Sequence, residues 1–266
     1  MYKFLLANLC LFWAPLFLFS QTDNLDSLKV KKPKKESIFD VFSKQEILEA
    51  SLTTDLSKLE DFKNSQVYWD GIFSYKTEEG ADSTMKVEVK LRGRFRLMNC
   101  DFPPLKLKFK KKNLKKGGVR KKYNKMKLIT HCLDDKSVSK ELIYRECLAY
   151  QLFNIINENS FRVQLVNMKY FQPDKKRAQA KGFGILVEDA KQVADRIGGK
   201  KAKEAVLGNQ IVNIDQENIT ALFQYMIANV DWNSNKTYKN LAMIESDKED
   251  EFFTVPYDFD FSGFVS

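Results

Sequence analysis

The chain has 266 residues, 44% hydrophobic and 13% aromatic, a composition that excludes a disordered polymer and allows a sizeable core. Its formal charge is +9, but residues 103–127 hold twelve Lys/Arg and no Asp or Glu, so the remainder sums to −3 and the basicity is local. Four cysteines and one histidine exclude a disulfide-built scaffold and any multi-histidine metal site.

Lys3 followed by the apolar stretch Phe4–Phe19 reads as a cleavable signal peptide over residues 1–20, with Ser20 before the cut. Cys10 lacks the small preceding residue of a lipidation site. The expected destination is the periplasm, the cell envelope or the outside of the cell, with no membrane span after cleavage, because no later run reaches about 20 apolar residues. Residues 21–60 read as a polar tether and a short helical lead-in, with weak helical periodicity from Phe39 to Leu59. Three cysteines follow the signal. Cys100 and Cys132 each follow a strand-like segment and form the favoured bridge, whereas Cys147 sits in a helical pattern.

From Val67 the period falls to two: Val67, Trp69 and Gly71, then Met85, Val87, Val89 and Leu91, alternate with polar residues as half-buried strands do. Further strands are expected at Leu105–Phe109 and Met126–Thr130, around a lysine-rich loop. Those lysines read either as a solvated strand edge or as a surface for phosphate groups and anionic polymers. They show no aromatic interleaving of the kind that stacks bases, so no specific nucleic-acid partner is expected. Ser137 or Ser139 caps a helix to Ile156. Its stripe Leu142, Glu146, Ala149, Phe153, Ile156 puts Glu146 on the apolar face, where a carboxylate needs a partner. A strand pair follows at Phe161–Tyr170 and Gly182–Val187, then a helix capped by Asp215, and short strands at Leu241–Ile244 and Phe252–Val255. The lone His131 reads as structural.

Two acidic segments stand at element ends: NVDWNSNKTYKNLAMI from Asn229 and VPYDFDFSG from Val255. Asp258 and Asp260 share one side of an extended chain, and such oxygen ligands suit Mg²⁺ or Mn²⁺. A β-rich half, a helix with an inward Glu, a strand pair, a helix, an Asp loop with Asn240, and a strand followed by Asp reproduce the order of functional parts in protein kinases.

The segments LRGRFRLMNCDFPPLKLKFKK, KMKLITHC, SKELIYRECLAYQLF, FGILVEDA, NVDW and PYDFDFSG resemble the CotH family of atypical, secreted kinase-like proteins, from about Lys90 onward. The resemblance implies an α+β, atypical protein-kinase-like bilobal fold: a β-rich N-lobe over residues 61–190 and the start of a helical C-lobe over 191–266, cut short at Ser266. It implies phosphotransfer from ATP with Mg²⁺ or Mn²⁺ to a protein or glycan hydroxyl. Asp231 then takes the catalytic-loop role, Asn240 and Asp258 the metal, with Asp260 sharing it and Asn235 a rival ligand at the nearer spacing. Glu146 takes the helix glutamate role. Its lysine is Lys106 or Lys108 on one strand, or Lys127 on the next, and the choice falls on Lys106. Glu188 and Asp189 fall where adenine is received. The competing expectation is a catalytically inactive envelope or surface module that binds anionic polymers through its lysines.

Overall fold

The computed structural model describes residues 35–61, 65, 67–93, 95–202, 211–234, 237–247 and 251–266. The stretch read as a signal peptide and most of the expected tether lie outside the described residues, as does Asn235. A capping box opens the described chain: the Asp40 N–H donates to the Ser37 hydroxyl, and the Ser37 N–H donates back to the Asp40 carboxylate, starting helix α1 (Ile38–Phe42).

The next segment departs from its helical reading. Leu48, Ala50, Leu52 and Thr54 alternate inward along a strand, β1 (Leu48–Thr54). A short exposed helix, α2 (Lys58–Asp61), leads to β2 (Trp69–Lys76) and β3 (Asp82–Leu91). After helix α3 (Phe95–Asn99) come β4 (Leu105–Phe109), helix α4 (Lys111–Lys116) and β5 (Lys125–Ile129). Helix α5 (Lys136–Ile156) is capped by Asp135, whose carboxylate accepts from the N–H groups of Ser137 and Val138. The strand pair is β6 (Val163–Phe171) and β7 (Ala180–Val187).

These seven strands close into a barrel in the order β1-β2-β3-β4-β5-β7-β6. All neighbours are antiparallel except β1 and β6, which run parallel with Leu48 opposite Val166 and Thr53 opposite Phe171. That closure overturns the bilobal kinase-like fold. The reason lies in β1, which uses one edge for β2 and the other for β6 and so leaves no open sheet. Inside sit Leu52, Phe73, Val87, Leu107, Phe109, Leu128 and Met168, with Phe39 and Phe42 of α1 packed against them. Each such fully buried large side chain contributes roughly 1.5–3 kcal/mol.

The chain continues through helix α6 (Ala190–Arg196), strand β8 (Gly199–Lys201), helix α7 (Ile214–Met226), β9 (Leu241–Ser246) and β10 (Phe252–Pro256). The last two strands and β8 form a separate three-stranded sheet. A second apolar cluster joins Ile129, Ile185 and Val187 of the barrel to Ile143 and Phe153 of α5, Phe223 of α7, Val255 and Phe259. Among the described residues, no helix is long and apolar enough to cross a membrane.

His131 has the structural place expected of it. Its ring stacks on Phe102 with centroids 4.9 Å apart, and burial pushes its pKa down. Gly182 lies against it so closely that a Cβ there would stand 2.6 Å from the imidazole Cγ. The disulfide joins Cys100 and Cys132, the favoured pair, and Cys147 stays free and buried with its thiol pushed up to about 12.

A cross-link over 32 residues restricts the unfolded chain by about 3–4 kcal/mol in the loop-entropy picture. Replacing both cysteines by serine is therefore expected to lower the unfolding free energy by about that amount, read from urea denaturation. Equal midpoints for the two proteins would contradict it.

Candidate functional site

Glu146 finds the partner that its place on an apolar face demands, but the partner is an arginine rather than a strand lysine. Arg96, on α3 just ahead of the disulfide, donates from Nη2 to Glu146 Oε2 (2.9 Å) and from Nε to Asp260 Oδ2 (2.7 Å). Glu146 is only 2% exposed. Burial, then Asp260 and Asp258, push its pKa up to about 7 against the pull of Arg96. The same burial and the carboxylates of Asp258 and Asp231 raise Asp260, while Arg96 is held firmly cationic. Three segments far apart in sequence thus share one charge.

One turn along α5, Tyr150 fixes the next member. Its hydroxyl accepts from the N–H of Asp258 (2.8 Å), and its ring meets Phe259 edge-on at 4.7 Å. Asp258 has φ of 67° and Asn240 φ of 55°, in the left-handed region that non-glycine residues seldom occupy. Asn and Asp tolerate that region best, and backbone strain of this sort gathers at functional sites. The Asn240 amide donates to the Asp231 carbonyl oxygen (2.8 Å) and to its carboxylate (2.9 Å), and Lys239 pairs with the same carboxylate. Asp231 is set by Asn229, whose side-chain oxygen accepts its N–H, on a turn that closes α7. The main chain of Gly263 and Phe264 then bonds to Ala228 and Ile227, carrying the Asp260 segment onto the end of that helix.

The cations come from the outer face of the barrel. Alternation turns Leu105, Leu107, Met126 and Leu128 inward, so Lys106 and Lys127 face out. Register places Lys90 opposite Lys106 and Lys106 opposite Lys127, a row of three ammonium groups across three strands. Lys127 is the most desolvated of them. Its ammonium lies 3.7 Å from the centre of the Tyr257 ring and 5.6 Å from that of Phe161. Burial first, and Arg92 next, push its pKa down to about 7, with Asp258 pulling the other way. Lys106 is also lowered, by burial and by Lys125 and Lys90.

No protein-family model matches this chain, and no curated protein matches it.

Measured against the expected site, the structure gathers Glu146, Asp258 and Asp260 around Arg96 and Tyr150, joins Asp231 to Asn240, and brings Lys127 within electrostatic reach of Asp258. Lys106 does not hold Glu146. Lys108 is drawn away to Glu88 (2.8 Å), with its ammonium over Tyr68. Glu188, expected to receive adenine, is buried with Arg162 at 2.6 Å from one oxygen and Arg196 at 3.1 Å from the other, a structural pairing. Asp189 caps α6 through the N–H of Lys191. Sequence reasoning missed Arg96. The available signal was the arginine-rich run before Cys100, which a disulfide to Cys132 pulls towards the start of α5.

Among the described residues, no three His, Cys, Asp or Glu side chains gather closely enough to enclose a metal ion. Mg²⁺ and Mn²⁺ seldom need such an enclosure: one or two carboxylates suffice when phosphates and water complete the shell. Asp258 and Asp260, with the Asn240 amide oxygen, are the oxygen donors that fit that pattern.

Removing Arg96 strands two buried carboxylates, so Arg96→Ala is expected to lower the unfolding free energy by about 3–5 kcal/mol. Glu146→Gln, which keeps an acceptor for Arg96, should cost less, and denaturant titration of the two variants tests the order. A second expectation concerns pH. The folded pKa of Glu146 lies above its unfolded value near 4.5, so the folded state holds an extra proton up to about pH 7. Its stabilising effect is full below 4.5 and lost as pH rises through 7. The stability of wild type minus that of Glu146→Gln should therefore fall from pH 4.5 to 7, moving in favour of the variant, and level off above; a rise in this signed difference over the interval would refute the assignment.

Proposed function

We propose that the surface formed by the lysine row and the Asp258 segment binds a nucleotide triphosphate with Mg²⁺ or Mn²⁺ and that the protein transfers a phosphoryl group to a hydroxyl, as the CotH resemblance also suggests. The observation that carries this reading is Lys127. It is a desolvated ammonium, in ion-pair contact with no carboxylate among the described residues, and Asp258 lies close enough to act on its charge. A phosphate supplies a negative charge in contact with Lys127, and its metal a cation in contact with Asp258, which forms no contact ion pair among the described residues.

The roles follow from the chemistry of each group. Lys127, with Lys106 and Arg92 around it, neutralises the phosphate oxygens. Asp258, Asp260 and Asn240 hold the divalent ion, which when bound offsets charge on the phosphates and leaving group. Arg96 keeps Asp260 and Glu146 in place. Asp231 orients the acceptor hydroxyl and takes its proton as the hydroxyl oxygen bonds to phosphorus and the bond to the bridging oxygen breaks. The Lys239 contact to Asp231 has to yield for that step. Protein and glycan hydroxyls both meet these requirements.

The direct test is thermal unfolding with ATP and Mg²⁺ or Mn²⁺. At 100 times Kd a ligand adds about 2.7 kcal/mol of stability, roughly 5–10 °C for a chain of this size. The shift should vanish in Asp258→Ala. Absence of any shift in the wild type at millimolar nucleotide would refute the reading, and a shift with polyphosphate or anionic glycan instead would favour an anion-binding module. Calorimetry adds a specific signature. Phosphate beside Lys127 restores its charge, so at pH 8 binding should take up protons, seen as a dependence of the measured heat on the buffer. Lys127→Arg, permanently charged, should abolish that uptake while still binding.

A further inference from the structure

The carboxylate of Glu146 has a second oxygen that the acidic cluster does not use. Oε2 serves Arg96, whereas Oε1 is buried and has no hydrogen-bond partner among the described residues. Glu146 lines a cavity of about 230 Å³, enclosed by α3, the disulfide, α5 and the segment after Asp260. His131 also lines this cavity, but its buried Nδ1 is turned to Gly182 on the other side of the ring. Buried polar atoms in native proteins are nearly always satisfied, so an orphaned carboxylate oxygen on the wall of a cavity points to something that completes it.

The remaining walls define the chemistry of that occupant. Leu142, Ile143 and Val265 supply apolar surface. At the rim, Phe95 and Phe261 pair edge-on at 5.1 Å while remaining 59% and 41% exposed, an aromatic corner left half open. Such a corner favours a further ring over water. Charge sets the polar end: with Glu146 and Asp260 ionised, the lining holds two carboxylates against the single guanidinium of Arg96. Size sets the limit, since a cavity of about 150 Å³ accepts a benzene ring. The space here takes a ring and a short arm.

We propose that this cavity is a binding site for a small aryl- or alkyl-amine, with its apolar body against Ile143, Val265 and the Phe95–Phe261 pair and its ammonium donating to Glu146 Oε1. The site lies apart from the lysine row and does not rest on phosphotransfer. Because Glu146 also holds Arg96, an amine bound here shares one carboxylate with the acidic cluster. Occupancy therefore reaches Asp260 through Arg96.

The probe is benzylamine, with benzyl alcohol and benzoate as uncharged and oppositely charged matches of the same shape. Benzylamine at millimolar concentration is expected to give intermolecular nuclear Overhauser effects to the methyl groups of Ile143 and Val265 and to raise the Tm. Benzyl alcohol should bind at least tenfold more weakly, and benzoate should not bind. Leu142→Trp, which fills the cavity from a position outside the acidic cluster, should abolish the effects while circular dichroism shows an intact fold. Absence of contacts to Ile143 and Val265 in the wild type would overturn the proposal, whatever the variant does. So would benzoate binding as tightly as benzylamine, because Arg96 rather than Glu146 would then be the recognising group. The nucleotide titration is scored separately: benzylamine binding without an ATP response leaves this site standing, and the reverse removes it alone.

Discussion

One guanidinium organises the part of this protein that can do chemistry. Arg96 spans from Glu146 in the middle of α5 to Asp260 near the end of the chain, and all three groups are largely withdrawn from water. An arrangement of this kind adds little net stability, because the desolvation of the charges offsets most of their attraction. What it provides is position. A planar fork with fixed donor directions accepts the two carboxylates in only a narrow set of geometries, and the backbone of Asp258 is then held from the other side by Tyr150. The disulfide anchors the helix that carries Arg96, which gives this small element a rigidity that its five residues would not supply.

The barrel supplies the opposite charge by simple alternation. Filling its interior with Leu, Met and Phe obliges the intervening lysines of β4 and β5 to face outward, and register lines them up with Lys90. Most of the local lysine excess is then surface, as in the exposed α4. Lys127 differs because Tyr257 and Phe161 cover it, and only a covered cation has its proton affinity reduced so far. Lys106 and Lys127 are neighbours on one face, yet their environments separate their roles.

Much of the local structure was legible in the sequence. Strand-like segments located β4, β5, β7 and β10 to within a residue or two, and the period of α5 placed Glu146 inside with an unmet need for a partner. What one-dimensional pattern could not carry was which cation met that need, because the answer depends on the Cys100–Cys132 bridge bringing α3 against α5. The partners of Glu188 were hidden for a related reason: its two arginines lie 26 residues before it and eight residues after it. The bilobal expectation failed at β1. Its alternating LEASLTT segment was outweighed by apolar residues on either side that also fit a helical spacing, and one misassigned strand is enough to turn a closed barrel into an open sheet.

The parallel seam between β1 and β6 has a consequence for how the chain reaches this state. Residues 48–53 pair with residues 166–171, so the barrel cannot be sealed by hairpins formed in order of synthesis. Until β6 emerges, β1 offers an unpaired edge rich in hydrogen-bonding groups, and the interior leucines and phenylalanines lack one wall. Contacts of such long sequence separation make folding slow and expose sticky intermediates. The α1 residues Phe39 and Phe42, already adjacent to β1 in the chain, are placed to shield that interior early. A plug just ahead of β1 thus stands beside the wall that closes last, as well as belonging to the packed core.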